Sequence, residues 1–84
     1  PNPFNPTTTI EFDLAFEGYT SLTIYDIMGQ AIINLINQNL NFGHYRYKLN
    51  AGDLPSGMYF YRLNVKDRSG KTIFSATKKL ILMK

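Results

Sequence analysis

The chain has 84 residues, 44% hydrophobic, 14% aromatic and 18% charged, with no cysteine, no tryptophan and one histidine, and a chain of that size supports one small core. The missing cysteines exclude a disulfide framework, a thiol nucleophile and a cysteine-based zinc site, and one histidine cannot build a histidine-rich metal cage. The formal charge of +3 divides unevenly: residues 1–45 carry Glu11, Asp13, Glu17 and Asp26 and no lysine or arginine, whereas residues 46–84 carry all nine basic residues against Asp53 and Asp67.

Turn signals cut the chain into short segments of alternating character. Thr7 to Leu14 places Ile10, Phe12 and Leu14 on one face and Thr9, Glu11 and Asp13 on the other, the period-two pattern of a strand with one wet face. Glu17-Gly18 turns the chain, and Tyr19 to Tyr25 follows with Leu22 and Ile24 inward. Asp26-Ile27-Met28-Gly29 supplies the next reversal, with Gly29 suited to a positive φ. Gln30 to Asn37 reads as an apolar third strand and the asparagine-rich residues 37–41 with Gly43 as a loop. A helix over Ala31 to Leu40 is the rival assignment, disfavoured by its isoleucines and nearby asparagines. His44 to Leu49 alternates cleanly, Tyr45, Tyr47 and Leu49 against His44, Arg46 and Lys48. Ala51 to Gly57 is dense in breakers, and Tyr59, Tyr61, Leu63 and Val65 form the inward face of a fifth strand. Asp67-Arg68-Ser69-Gly70 turns into Lys71 to Lys84, long enough for one bent strand or two short ones.

Such regular spacing without a helical period predicts an all-β chain, an antiparallel sandwich of six to seven strands. Leu54-Pro55-Ser56-Gly57-Met58-Tyr59 makes that sandwich immunoglobulin-like. There the proline fixes a turn, Gly57 relieves it, and Tyr59 at the strand start sends its hydroxyl back to the preceding backbone, as in a tyrosine corner. Tyr59 is then a fold residue. The last segment, Lys78 to Lys84, sets Leu80 and Leu82 on one face and Ile81 and Met83 on the other. It is either buried on both sides or partly exposed for another protein to read.

Little in the chain can do chemistry. The six acidic residues are scattered, Glu11 and Asp13 share only a wet strand face, and His44 has no spaced partner for a dyad or ligand set. Ser56 and Ser69 lack a nucleophile-elbow pattern, and no glycine-rich phosphate loop is present. No enzyme, metal or cofactor is expected. Alternation argues against a nucleic-acid partner, because it sends Tyr45, Tyr47, Tyr59 and Tyr61 to the face opposite Arg46, Lys48, Arg62 and Lys66. A sugar-stacking surface from Tyr25, Phe42 or Phe60 stays open as an alternative. The apolar run Leu80 to Met83 is far short of the ~18 residues of a transmembrane segment. Opening at Pro1 without a methionine, the chain reads as one domain, residues 1–84, cut from a longer protein whose export signal lies upstream.

Four stretches together carry a resemblance: Pro1-Asn2-Pro3-Phe4-Asn5-Pro6-Thr7-Thr8-Thr9-Ile10, Thr23-Ile24-Tyr25-Asp26-Ile27-Met28-Gly29, Leu54-Pro55-Ser56-Gly57-Met58-Tyr59-Phe60-Tyr61, and Thr77 through Lys84. In this order, over essentially the whole chain, they resemble the C-terminal sorting domain of type IX secretion system cargo. Related immunoglobulin-like modules share the first and third stretches, and the terminal Lys-Lys-Leu-Ile-Leu-Met-Lys tips the balance. The resemblance implies a secretion signal of Bacteroidota and related phyla that passes through the periplasm and takes its parent protein across the outer membrane to the surface or beyond. The implied partners are the type IX translocon, outer-membrane shuttle proteins and a sortase-like cysteine peptidase that removes the domain, after which cargo is released or attached to lipopolysaccharide. The implied recognition elements are Pro1 and Pro3, Gly29, Gly57 and Tyr59, and the strand Lys78, Lys79, Leu80, Ile81, Leu82, Met83 and Lys84. Gln30, where a basic residue often stands, and the missing tryptophan after Gly43 depart from the pattern. The competing reading is a structural or carbohydrate-binding module of an extracellular hydrolase.

Overall fold

The computed structural model describes residues 7–83, so Pro1, Pro3 and Lys84 lie outside the described residues. Six strands follow in chain order: β1 (Thr7–Leu14), β2 (Gly18–Tyr25), β3 (Ala31–Leu40), β4 (Gly43–Asn50), β5 (Gly57–Lys66) and β6 (Thr72–Leu82). No helix interrupts them among the described residues. All pairings are antiparallel, in a two-stranded sheet β1-β4 and a four-stranded sheet β3-β2-β5-β6. Among the described residues that order is the B-E and C′-C-F-G arrangement of an immunoglobulin-like sandwich. β5 then stands in the place of strand F, whose start carries the tyrosine corner. Tyr59 fills that role: its hydroxyl donates to the Pro55 carbonyl at 2.6 Å.

Alternation decides what enters the core. Ile10 and Leu14 of β1 pack on Leu22, Leu63 and Val65 of the larger sheet, with Phe12 partly buried beside them. A second cluster joins Ile24, Tyr59, Leu80 and Leu82 to Leu49, Ala51 and Leu54. Gly18 is required by close approach, since a Cβ there would stand 2.5 Å from Val65 Cγ1 and 2.9 Å from the Lys66 carbonyl oxygen.

One expectation needs correction, and for the last strand the structure selects between the alternatives left open. β3 runs on through Leu40 rather than breaking at Asn37, so the loop is only residues 41–42. The asparagines are tolerated because they occupy the wet face: Asn34 donates to Thr23 Oγ1 at 2.9 Å and Asn39 to Glu17 Oε2 at 3.3 Å. A bulge between the Leu22–Ile36 and Thr23–Asn34 pairs lets Ile33, Leu35 and Ile36 all pack on the core, which explains an apolar run without strict alternation. β6 is one continuous strand, and its end is buried on one face only, Leu80 and Leu82 inward with Ile81 exposed.

The divided charge has a structural use. Register places Glu11 opposite Arg46 and Asp13 opposite His44, so the acidic first strand meets the basic fourth across the small sheet.

Candidate recognition surface

Register brings the described recognition elements to one end of the four-stranded sheet. Tyr25, the last residue of β2, pairs with Phe60; Gly57 at the start of β5 pairs with Leu82 and Met58 with Ile81. The 26–29 turn, the beginning of β5 and the end of β6 therefore share that end. The sites predicted there play different parts. Tyr59 is 7% exposed, so it fixes the turn from within and presents no surface. Gly57 opens β5 with φ of 155°. In the terminal strand Leu80 and Leu82 anchor, while Lys78, Lys79, Ile81 and Met83 are solvent-accessible.

The turn at Gly29 has a structural twin at the opposite end of the sheet. In residues 26–29 the Gly29 amide donates to the Asp26 carbonyl and the Asp26 amide to the Gln30 carbonyl, each at 3.0 Å. Asp26 Oδ1 accepts from the Met28 and Gln30 amides, each at 2.9 Å. In residues 67–70 the Gly70 amide donates to the Asp67 carbonyl at 3.0 Å and the Asp67 amide to the Lys71 carbonyl at 2.9 Å. Asp67 Oδ1 accepts from the Ser69 amide at 2.9 Å and the Lys71 amide at 3.0 Å. The glycines take φ of 84° and 87°, a left-handed conformation that side chains resist. The Ser69 hydroxyl and those amides hold the Asp67 carboxyl below its ordinary range.

The backbone of this turn is set by its aspartate and glycine in both copies; of the two residues between them only Ser69 adds a side-chain bond, its hydroxyl donating to Asp67 Oδ1 at 2.6 Å. In one copy those two residues are Arg68 and Ser69. In the other they are Ile27 and Met28, 67% and 81% exposed. Met58, Ile81 and Met83 are also exposed at this end, so all three methionines of the chain lie there. Unbranched, polarizable methionine suits a surface that adapts to a partner. Arg62 lies over the Tyr25 ring, 5.1 Å from its centroid, and donates to Thr77 Oγ1 at 3.0 Å. A shallow depression of about 180 Å³ runs from Ile27 and Gly29 past Phe60 to Arg62. Phe42 sits in the β3–β4 turn at the far end, so Tyr25, Phe42 and Phe60 are not brought onto one stacking surface.

Ile27, Met28 and Met58 were missing from the predicted recognition residues. The signal available was the repeated Asp-x-x-Gly with polar residues in one copy and apolar ones in the other.

The other cluster of titratable groups lies on the outer face of the small sheet, and it corrects the expectation that His44 lacks a partner. His44 Nδ1 is 2.6 Å from Asp13 Oδ1 and Nε2 is 3.3 Å from Glu11 Oε1, while Arg46 Nε donates to the same Glu11 oxygen at 2.7 Å. A carboxylate acceptor at each nitrogen favours the imidazolium form, and the hydrogen bonds to Asp13 and then Glu11 push its pKa up. Arg46, then His44, hold the Glu11 carboxyl down. This is an open ionic clasp between strands. Among the described residues no three His, Asp or Glu side chains are placed to hold a metal ion, and no helix is long and apolar enough to cross a membrane.

A family model described as a secretion system C-terminal sorting domain matches residues 1–83. Searches of curated proteins and of solved structures gave no match. The chain belongs to the secretion system C-terminal sorting domain family, and it is a non-catalytic secretion signal for the type IX secretion system.

Proposed function

We propose that the secretion machinery reads this signal at one end of the four-stranded sheet, where Ile27, Met28, Met58, Ile81 and Met83 form an apolar face beside Lys79 and Arg62. The observation that carries this reading is the pair of twin turns: the fold tolerates Arg-Ser at the tip of one, so Ile-Met at the tip of the other answers a need other than folding. Gly29 and Gly57 hold the backbone of the face, Tyr59 locks the loop behind it, and Leu80 and Leu82 pin the terminal strand so that Lys79, Ile81 and Met83 are offered. Pro1 and Pro3 mark the junction with the cargo.

The finer steps belong to the same proposal. Residues 1–84 form one sorting domain at the end of a longer secreted protein, which crosses the periplasm before export. The translocon and its outer-membrane shuttle proteins bind the apolar face. A sortase-like cysteine peptidase then cuts before or near Pro1, and the cargo is released or attached at the surface. Fusing residues 1–84 to a periplasmic reporter tests sufficiency in a host that has the secretion system. The full fusion is expected outside the cell and the fusion lacking Lys78–Lys84 in the periplasm. Normal export of the truncated fusion refutes the reading.

A further inference from the structure

A two-stranded sheet cannot cover a four-stranded one. On β6 the inner-face positions Leu80 and Leu82 are buried, yet Phe74, which continues the same face opposite buried Val65, is 49% exposed. Above it a groove of about 310 Å³ runs between β1, at Ile10 to Asp13, and Phe74, Ala76 and Lys78 of β6, floored by Leu22 and Leu63. A second hollow of about 200 Å³ shares Asp13 and Phe74 and carries the groove on to Phe16 and Ile73.

Two features define what fits. The β1 wall is a strand edge without a partner among the described residues, where β1 bonds to β4 on its other side. Its outward backbone N–H and C=O groups are best satisfied by an extended peptide. The β6 wall carries a charge: Lys78 stands at an inner-face position opposite Tyr61 and lines the groove. No carboxylate of the described residues pairs with it; Glu11 engages Arg46 and His44, and Asp13 engages His44, on the outer face. An inward-pointing lysine beside a strand edge rejects a purely apolar newcomer, which would bury the ammonium without a partner. A strand that brings a carboxylate turns that penalty into a charge-assisted hydrogen bond.

We infer that the β1–β6 groove docks an extended segment of a partner protein, which adds to the free edge of β1, sets apolar side chains against Phe74 and Ala76, and pairs a carboxylate with Lys78. This site is separate from the apolar end face and does not depend on it.

The test uses the 84-residue chain, uniformly labelled with nitrogen-15, and two synthetic heptapeptides, Thr-Val-Thr-Glu-Thr-Val-Thr and the same peptide with lysine replacing glutamate. The glutamate peptide is expected to shift backbone amides of Thr7–Leu14 and to bind about tenfold more tightly than the lysine peptide, the size of one charge-assisted hydrogen bond. In the exposed-site variant Lys78→Glu the preference reverses. Equal binding of the two peptides, no binding of either, or shifts that leave β1 untouched would overturn the inference. So would sedimentation showing a dimer whose β1 amides shift with protein concentration and are not displaced by the glutamate peptide, since the occupant would then be a second copy.

Discussion

The two ends of the four-stranded sheet use the same device to display opposite surfaces. At both, an aspartate caps the amides of a turn and a glycine with positive φ closes it, with backbone-amide hydrogen bonds that agree to within 0.1 Å; the far turn adds one bond, from the Ser69 hydroxyl to Asp67. At the far end the exposed pair is Arg68-Ser69, and Arg68 reaches Glu17 at 3.8 Å, an ordinary wet turn. At the near end the pair is Ile27-Met28, set beside exposed residues at the start of β5 and the end of β6. Local backbone chemistry thus accounts for the turns and not for what they display. The far turn is a control within the molecule, separating what folding requires from what the proposed recognition would require.

Both ends rest on one core, and the largest effect lies there. Leu22 is fully buried, and Leu22→Ala should cost about 2–5 kcal/mol. Chemical denaturation should show one cooperative loss, and selective unfolding of one end would refute a shared core. The twin turns make a sharper, smaller prediction. Gly29→Ala and Gly70→Ala each force a side chain into the left-handed region and should each cost about 1–2 kcal/mol. Equal costs by denaturant titration support the equivalence of the turns, and a difference above about 1 kcal/mol breaks it. Tyr59→Phe removes only the hydrogen bond to Pro55 and should cost about 1 kcal/mol by the same measurement.

The smallest effect lies in the clasp between β1 and β4. His44 has a folded pKa above its ordinary value, so its contribution is complete below about pH 6.5 and is lost as pH rises through the raised value. Glu11, with its pKa lowered, stays ionised throughout that window. Thermal melts at low salt should therefore show Tm falling slightly between about pH 6 and pH 8. The variant His44→Gln should lack the fall, and an identical slope in both proteins would contradict the clasp.

Much of this fold was legible because its strands alternate. Ile10, Leu14, Leu22, Leu63 and Val65 are buried where period two puts them, and the Pro55–Tyr59 spacing announced the hydroxyl-to-backbone bond. The asparagines of β3 misled because their composition signals a turn, while their place opposite β2 turns them into wet-face residues. The partners of His44 lie 31 and 33 positions away and become visible only through the β1–β4 register. The recognition face was half legible: Ile81 and Met83 alternate with anchoring leucines, but the meeting of Ile27, Met28 and Met58 with them depends on pairing across three strands. Coverage is beyond alternation altogether. Nothing in the period of β6 says that Phe74 faces inward and yet stays half exposed.

On the proposed reading the apolar turn tip is displayed for recognition and the polar one is not. The direct measurement is export of a reporter fused to residues 1–84 in two double variants that exchange the tips. Ile27→Arg with Met28→Ser gives the near turn the far pair, and Arg68→Ile with Ser69→Met does the converse. Both should keep their Tm within a few degrees, since neither tip is buried. The account predicts that the first fusion stays in the periplasm and the second is exported like the parent. Normal export of the first, with its fold intact, would contradict it.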